Sequence, residues 1–369
     1  MKPHDLEELY MTRCLMLARN GAGAVSPNPM VGAVIVKRGR IIGEGFHRVF
    51  GGPHAEVNAL RACTVSPRGA TLYVNLEPCN HQGKTPPCAD LIIRSGIAEV
   101  VIGMKDPNPL VAGKGIRALR RAGIRVRAGI LGRECARLNE SFAKHITTGL
   151  PFVTLKIAQT FDGKIADLQG NSKWITNEES RRAVHRLRAA ADAVFVGAGT
   201  VAADNPALTV RSVKGRDPIR VVLDTHLTTN PRSKLYSRRR KSRTILICSH
   251  RALRRESKKI GLLLKKGVDI YAFSADRSGM IPLRDVLPVL GSLGITSLLV
   301  EGGAMTFSSF LRERVADKLI LFAAPKILGR GIEAFSGLVP RKLGRENKLY
   351  DVAVRTYGND LCIEAYIQS

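Results

Sequence analysis

The chain has 369 residues, 44% of them hydrophobic, with seven cysteines and a formal net charge of +27. That length exceeds one compact core and predicts two domains, while the lack of any uncharged apolar run of about eighteen residues, or of a signal-like apolar core near Met1 to Glu8, argues against a membrane span and for a soluble, cytoplasmic protein. An odd number of scattered cysteines argues against a secreted disulfide framework and fits reduced thiols.

In chain order, apolar periodicity first predicts an amphipathic helix from about Leu6 to Ala18, opened by an Asp5/Glu8 capping pair and closed by Asn20-Gly21. Strands follow at Val31 to Val36 and Ile41 to Gly45, joined by the turn Lys37 to Arg40, and then a helix from His54 to Ala62. A strand at Thr71 to Leu76, a helix at Cys88 to Arg94 and a strand at Glu99 to Met104 come next. A basic helix (Gly115 to Ala122), a short strand (Val126 to Leu131) and a helix (Cys135 to His145) complete a pattern that predicts an α/β sandwich. Thr147-Thr148-Gly149-Leu150-Pro151 interrupts it, which places one domain at residues 1–146 and a second at 151–369.

The second part restarts with a strand, Phe152 to Ala158, followed by strands at Ala193 to Val196, Ile219 to Leu223, Thr244 to Cys248, Val268 to Phe273, Ser297 to Val300 and Leu319 to Ala323. Helices read at Asn177 to Ala190, Leu283 to Leu290 and Ala304 to Arg314, and a hairpin turns at Tyr357-Gly358-Asn359-Asp360. No internal repeat relates the two parts. Where strand Ser297 to Val300 runs through Glu301-Gly302-Gly303-Ala304 into a helix, glycines and the helix start suit a phosphate, although two glycines serve equally as a turn and G-x-G-x-x-G is absent. Asp204 to Arg211, preceded by Gly197-Ala198-Gly199-Thr200, is a second polar loop.

His54-Ala55-Glu56, Pro78-Cys79 and Cys88 together supply one imidazole, two thiolates and a free carboxylate, the donor set of a hydrolytic Zn²⁺ site. Three protein ligands leave the fourth tetrahedral position to water, whose pKa falls to about 7. H-x-E followed by P-C-x-x-C marks zinc nucleobase deaminases, with the glutamate off the metal as proton carrier. Here eight residues, Asn80 to Pro87, separate the cysteines instead of two. A surface histidine and two core cysteines are the plain alternative. Proline placement opposes it: Pro53 and Pro86-Pro87 put His54, Glu56 and Cys88 in first helical turns, where the helix field favours thiolate. Glu56 is thus the candidate catalytic residue, and His54, Cys79 and Cys88 are the candidate ligands of one zinc.

The motifs taken together resemble a known family. Pro27-Asn28-Pro29-x-Val31-Gly32, His47-x3-Gly51-x2-His54-Ala55-Glu56 and Pro78-Cys79-x-His81-x-Gly83-x-Thr85-Pro86-Pro87-Cys88 are similar to the deaminase half of the bifunctional riboflavin-biosynthesis deaminase/reductases, whose own variant is the long cysteine spacing. Lys156-x-Ala158-x3-Asp162-Gly163, Ser172-x-Trp174-Ile175-Thr176, Asp204-x-Pro206-x-Leu208-Thr209-x-Arg211 and Glu301-Gly302-Gly303 resemble its reductase half, in order.

The resemblance implies a cytidine-deaminase-like α/β/α sandwich fused to a dihydrofolate-reductase-like α/β domain that uses NADPH. It implies phosphorylated pyrimidine substrates, deaminated in the first half and reduced from ribosyl to ribityl in the second, and a homodimer through the reductase domain. Cofactor contacts carry over to Ala158, Trp174, Thr200, Asp204, Thr225 and the segment Gly303, Ala304, Met305, Thr306, Phe307, Ser308 and Ser309. Substrate contacts carry over to Ser172, Arg188, Leu208, Arg211 and Glu301, with Arg188 and Arg211 suited to forking onto a phosphate. Asp204 and Lys156 are candidates to assist ribose-ring opening, and Asn28, His47 and His81 to line the deaminase pocket.

The charge leaves a rival, a nucleic-acid-editing deaminase with a basic RNA-binding second half. Its basic runs, Arg232 to Arg243 and Arg251 to Lys259, carry few aromatics for base stacking, and phosphorylated small molecules use the same positive field. Arg232 to Arg243 reads instead as an exposed loop outside both sites.

Overall fold

A computed structural model describes residues 3–80, 86–109, 111–237, 242–336, 338 and 346–368. The chain forms two compact units, Met1–Gly149 and Leu150–Ser369.

The first unit runs α1 (Pro3–Arg19), β1 (Gly32–Lys37), β2 (Arg40–Phe46), α2 (Ala55–Arg61), β3 (Thr71–Leu76), α3 (Cys88–Arg94), β4 (Glu99–Met104), α4 (Lys114–Arg121), β5 (Arg125–Ala128), α5 (Gly132–Leu138) and α6 (Glu140–Thr148). Its sheet has the order β2-β1-β3-β4-β5, antiparallel on the β2 and β1 side and parallel from β3 to β5. Side chains alternate across a strand, so a sheet covered on both faces needs apolar residues at every position. The central strands meet that demand. Ala33, Ile35, Leu72, Val74, Val100 and Ile102 face one core with Ala55, Ala59, Ala89 and Ile92 of α2 and α3, while Val34, Tyr73 and Val101 face another with Tyr10, Met11 and Cys14 of α1. The result is an α/β/α sandwich.

The second unit runs β6 (Phe152–Thr160), β7 (Lys164–Ala166), α7 (Glu178–Ala190), β8 (Ala193–Gly197), α8 (Ala198–Asp204), β9 (Ile219–Leu223), β10 (Thr244–Ser249), α9 (His250–Arg255), α10 (Ser257–Lys265), β11 (Val268–Phe273), α11 (Leu283–Ser292), β12 (Ser297–Glu301), α12 (Ala304–Arg312), β13 (Lys318–Ala324), β14 (Ile332–Glu333), β15 (Leu349–Tyr357) and β16 (Asp360–Ile367). Among the described residues its main sheet has the order β11-β10-β9-β8-β12-β6-β13-β16-β15. β11 through β13 are parallel; β16 and β15 close the edge antiparallel, turning at Tyr357 opposite Asp360 as expected. Val153, Leu155, Phe195, Val221, Ile245 and Val300 face α11 and α12; Val194, Val196, Val222, Leu246 and Leu299 face the opposite side.

Three local readings are corrected. The expected helix Cys135 to His145 is two helices, α5 and α6, parted at Asn139, whose side chain is committed to both backbone polar groups of Met30. The basic cluster Arg251 to Lys259 lies on α9 and α10 between two core strands, with the Lys259 ammonium donating to the Leu227 carbonyl. The Arg232 to Arg243 run is not simply an exposed loop: Leu235 and Tyr236 are fully buried, Tyr236 meets the Thr229 hydroxyl at 2.8 Å, and Arg243 pairs with Asp269. Residues 238–241 of that run lie outside the described residues.

One close contact fixes where α2 begins. A methyl group on Gly45 of β2 would lie 2.3 Å from the Ala59 nitrogen and 2.6 Å from the Ala55 oxygen, both backbone atoms of α2. The helix therefore rests directly on the strand. Gly45→Ala should lower the urea midpoint of the first unit, at a cost of about 1–3 kcal/mol or more from overpacking, and leave the second unit's transition unchanged. An unaltered first-unit midpoint would show that the contact has slack.

Candidate active sites

His54 is the N-cap of α2, with extended backbone, and not within its first turn; Glu56 is the helix's second residue. Cys79 follows the end of β3, and Cys88 opens α3 behind Pro87. The fold brings the three ligand candidates together: His54 Nδ1 lies 3.6 Å from Cys79 Sγ and 3.3 Å from Cys88 Sγ, and all three donor atoms lie within 4.8 Å of one another. A tetrahedral zinc with Zn–S near about 2.3 Å and Zn–N near about 2.0 Å separates such ligands by roughly 3.5 Å, so the donor set fits the ion.

Electrostatics asks for the same ion. A hydrogen bond from Cys88 and the neighbouring His54 draw Cys79 down to about 4, although burial opposes this. Its bond to Cys79, burial and the Glu56 charge hold the Cys88 thiol far above its usual value. Burial pushes the Glu56 carboxyl up to about 7, with the Cys79 thiolate adding to the shift and His54 opposing it. Two thiolates and a carboxylate cannot all ionise in one buried pocket unless a cation joins them.

The surrounding residues hold backbone in place. His47 is buried between the Pro53 carbonyl, 3.1 Å from Nδ1, and the Asn28 amide, 3.2 Å from Nε2. Burial lowers its pKa, so a neutral ring that donates from Nδ1 and accepts at Nε2 satisfies both contacts. The Asn28 loop is pinned in turn by buried Asn75, which accepts from Gly32 N and donates to Met30 O, and by Asn139. Asn58 donates to Phe46 O and ties α2 to the end of β2. Sequence reasoning passed over Asn58, Asn75 and Asn139; a buried asparagine inside a strand such as β3 was the available signal. His81 lies outside the described residues.

In the second unit the expected cofactor positions converge on one edge. Ala158 is near the C-terminal end of β6, Thr200 follows β8, Thr225 follows β9 and Gly303 follows β12. Those four strands are consecutive and parallel in the sheet, and the outer side of carboxyl strand ends is where open α/β sheets bind ligands. Asp204 closes α8 and accepts from Ser172 Oγ at 3.2 Å. Trp174 is exposed, under the Arg181 guanidinium at 4.7 Å, with its carbonyl held by Lys326 Nζ at 2.9 Å.

Three expectations change here. Arg188, read as a phosphate fork or a solvated surface residue, is half-buried and forks onto Glu301, with Nε at 2.5 Å and Nη2 at 2.9 Å; Lys156 Nζ reaches the same carboxylate at 3.3 Å. Arg211 alone of the two arginines leaves its side chain exposed. The Leu208 side chain is buried in the core with Val194, Val196 and Val222, so it is not available to contact a substrate. Within 303–309, Phe307 packs into the main core, while Met305 is exposed and the buried Ser308 hydroxyl has no protein partner among the described residues.

Residues 4–104 match the family description "cytidine and deoxycytidylate deaminase zinc-binding region", and residues 151–363 match "RibD C-terminal domain". The chain is 44% identical over 360 residues to the riboflavin biosynthesis protein RibD of Aquifex aeolicus, covering 97% of this chain and 98% of that one. It is 38% identical over 373 residues to RibD of Escherichia coli, with the same coverage. Among solved structures, a diaminohydroxyphosphoribosylaminopyrimidine deaminase/5-amino-6-(5-phosphoribosylamino)uracil reductase of Thermotoga maritima superposes with a TM-score of 0.88 at 43% identity over the whole of both chains. Acinetobacter baumannii RibD superposes with a TM-score of 0.87 at 35% identity, over 99% of this chain and 100% of that one.

The Glu301 cluster generates a prediction. Burial alone would raise Glu301, but Arg188 and Lys156 outweigh it and hold the carboxyl down to about 2, against an ordinary 4.5. The stabilisation is therefore complete above about pH 4.5 and is lost as pH falls toward 2. Glu301→Gln should cost the second unit up to about 3–5 kcal/mol at neutral pH, since it leaves two half-buried cations without their carboxylate. Urea midpoints should show a constant gap from wild type at neutral and mildly acidic pH that closes below about pH 4.5; a gap undiminished at strongly acid pH would refute the linkage.

Proposed function

The chain belongs to the RibD family, the bifunctional deaminase/reductases of riboflavin biosynthesis, and on that footing we propose how its own residues divide the two reactions. It is a zinc-dependent hydrolytic deaminase and an NADPH-dependent reductase acting on phosphorylated pyrimidines. We assign deamination to residues 1–146 and reduction to 151–369.

The observation that carries the first assignment is the placement of Glu56, buried beside the His54, Cys79 and Cys88 donors but not among them. His54 Nδ1 and the two cysteine sulfurs would hold zinc, which when bound would supply a Lewis acid that acidifies water. Glu56 takes one proton from the attacking water on a carboxylate oxygen and delivers it to the ring nitrogen, then carries the second proton of that water to the departing amine, which leaves as ammonia. His47, kept neutral, and Asn28 hold the pocket wall.

In the second assignment Ala158, Trp174, Thr200, Asp204, Thr225 and the start of α12, at the carboxyl ends of β6, β8, β9 and β12, would hold NADPH, which would supply the hydride. Ser172, Arg211 and the Leu208 backbone bind the substrate, with Arg211 as the phosphate fork. Glu301, clamped by Arg188 and Lys156, presents a fixed carboxylate to the ribosyl unit. We also propose a homodimer through this unit, because edge strand β15 leaves Leu349, Tyr350, Val352 and Val354 exposed. A cytoplasmic setting fits seven free cysteines, and no helix among the described residues is long and apolar enough to cross a membrane; cell fractionation reads the location. The RNA-binding reading of the second half is not favoured, since that half matches the RibD C-terminal domain.

Glu56→Gln should abolish deamination, by about 100-fold or more for a lost general base, with zinc content and NADPH-dependent reduction unchanged, and the 151–369 fragment should reduce the deaminated intermediate without zinc. Zinc loss in the variant would make Glu56 a ligand and sink its assignment. For the dimer, sedimentation equilibrium should give twice the chain mass, and Val354→Glu should give monomer; a wild-type chain that sediments as monomer at micromolar concentration refutes it.

A further inference from the structure

Glu77, directly before Pro78-Cys79, is a buried carboxylate with no part in the chemistry described above. Its Oε2 accepts from Gly113 N at 2.9 Å and Asp106 N at 3.2 Å, and its Oε1 from Ile116 N at 3.1 Å. These amides belong to the connection from β4 to α4 and to the first turn of α4, whose N-cap, Gly113, has no side chain to cap it. Glu77 supplies the cap from another strand.

The helix start is also pressed against the ligand-bearing backbone. A methyl group on Gly115 would lie 2.0 Å from the Pro78 carbonyl oxygen, so α4 touches the peptide that leads into Cys79. From the other side, Cys79 is held by α3, through Ala89 N to Cys79 O at 3.1 Å and Cys88 N to Cys79 Sγ at 3.4 Å. Cys79 sits between two helix starts. One is hydrogen-bonded to the Cys79 residue itself; the other, among the described residues, takes its side-chain cap from Glu77.

We propose that Glu77 is a positioning residue of the zinc site, which clamps the start of α4 onto the Pro78 carbonyl and so sets where Cys79 presents its thiolate. The inference rests on the zinc reading of His54, Cys79 and Cys88. A carboxylate is the only ordinary side chain of this length with two acceptor-only oxygens. Glutamine keeps the shape but turns an NH₂ toward at least one backbone N–H, so it breaks one or two of the three bonds whichever way its amide is placed. Shell residues behind a metal ligand typically carry about 10–100-fold of metal affinity or activity.

The test uses the zinc-loaded full chain and follows zinc release to a chromogenic chelator, deaminase turnover and reductase turnover in Glu77→Gln and Glu77→Ala. Zinc release should speed up, and deaminase kcat should fall, by about 10-fold or more, with glutamine between wild type and alanine and the reductase rate unchanged as the folding control. Val101→Ala, on the opposite face of the sheet, supplies a loss of stability without disturbing the clamp and should leave zinc release at the wild-type rate. Release within twofold of wild type in folded Glu77→Gln, or equal acceleration in Val101→Ala, overturns the proposal even if the melting temperature falls. Zinc content of the wild-type chain reports separately on the site itself: a wild type without zinc fails the zinc reading, whereas a zinc-bearing wild type with unmoved variants fails only the role of Glu77.

Discussion

Two thiols and a carboxyl share one largely buried pocket in the first unit, and their negative charges cannot coexist there without a cation. Much of that unit's architecture serves to bring these groups together against their repulsion. Helix α2 comes close enough to deliver His54 and Glu56 because Gly45 has no side chain to hold it off. Helix α3 starts at Cys88, where a thiolate gains from the helix field, and its first amide donates to Cys79. The asparagines at positions 58, 75 and 139 then spend their side chains on backbone groups of the loops.

The second unit solves the converse problem, an excess of positive charge around anionic ligands. Its parallel strands deliver loop after loop to a single edge, so residues far apart in the chain reach one crevice. Arg188 and Lys156 would be costly in that half-buried position as free cations. Glu301 offsets one of the two charges and is itself held ionised by the pair. The basicity that suggests nucleic acid in the sequence is partly absorbed in this way, and partly on α9 and α10, where Lys259 and Lys266 donate to backbone carbonyls.

Continuous apolar runs made most core strands of both sheets legible, because a strand covered on two faces must be apolar throughout. The short pair β7 and β14 carries no such pattern and was not expected. The stretch from Arg232 to Asp285, without a recognisable motif, holds two strands of the main sheet; its basic residues obscured the buried Leu235 and Tyr236. Asn139 broke an expected helix for a reason 109 residues away, its bonds to Met30.

The sequence by itself determined the chemistry of this protein: a histidine, two cysteines and a nearby glutamate with prolines before them specify a donor set and helix starts, and these are local properties of residue type and spacing. It also determined the two-part organisation and the family. Only the tertiary structure decided which charges face ligands and which face each other. Arg188 and Arg211 are indistinguishable as side chains, yet one is consumed by Glu301, 113 residues away, and the other remains exposed. Glu77 likewise looks like any strand-end carboxylate until the fold brings three amides of α4 and its lead-in onto it. A side chain's partner is set by distance in space, and a one-dimensional pattern carries that distance only for near neighbours along a helix or strand.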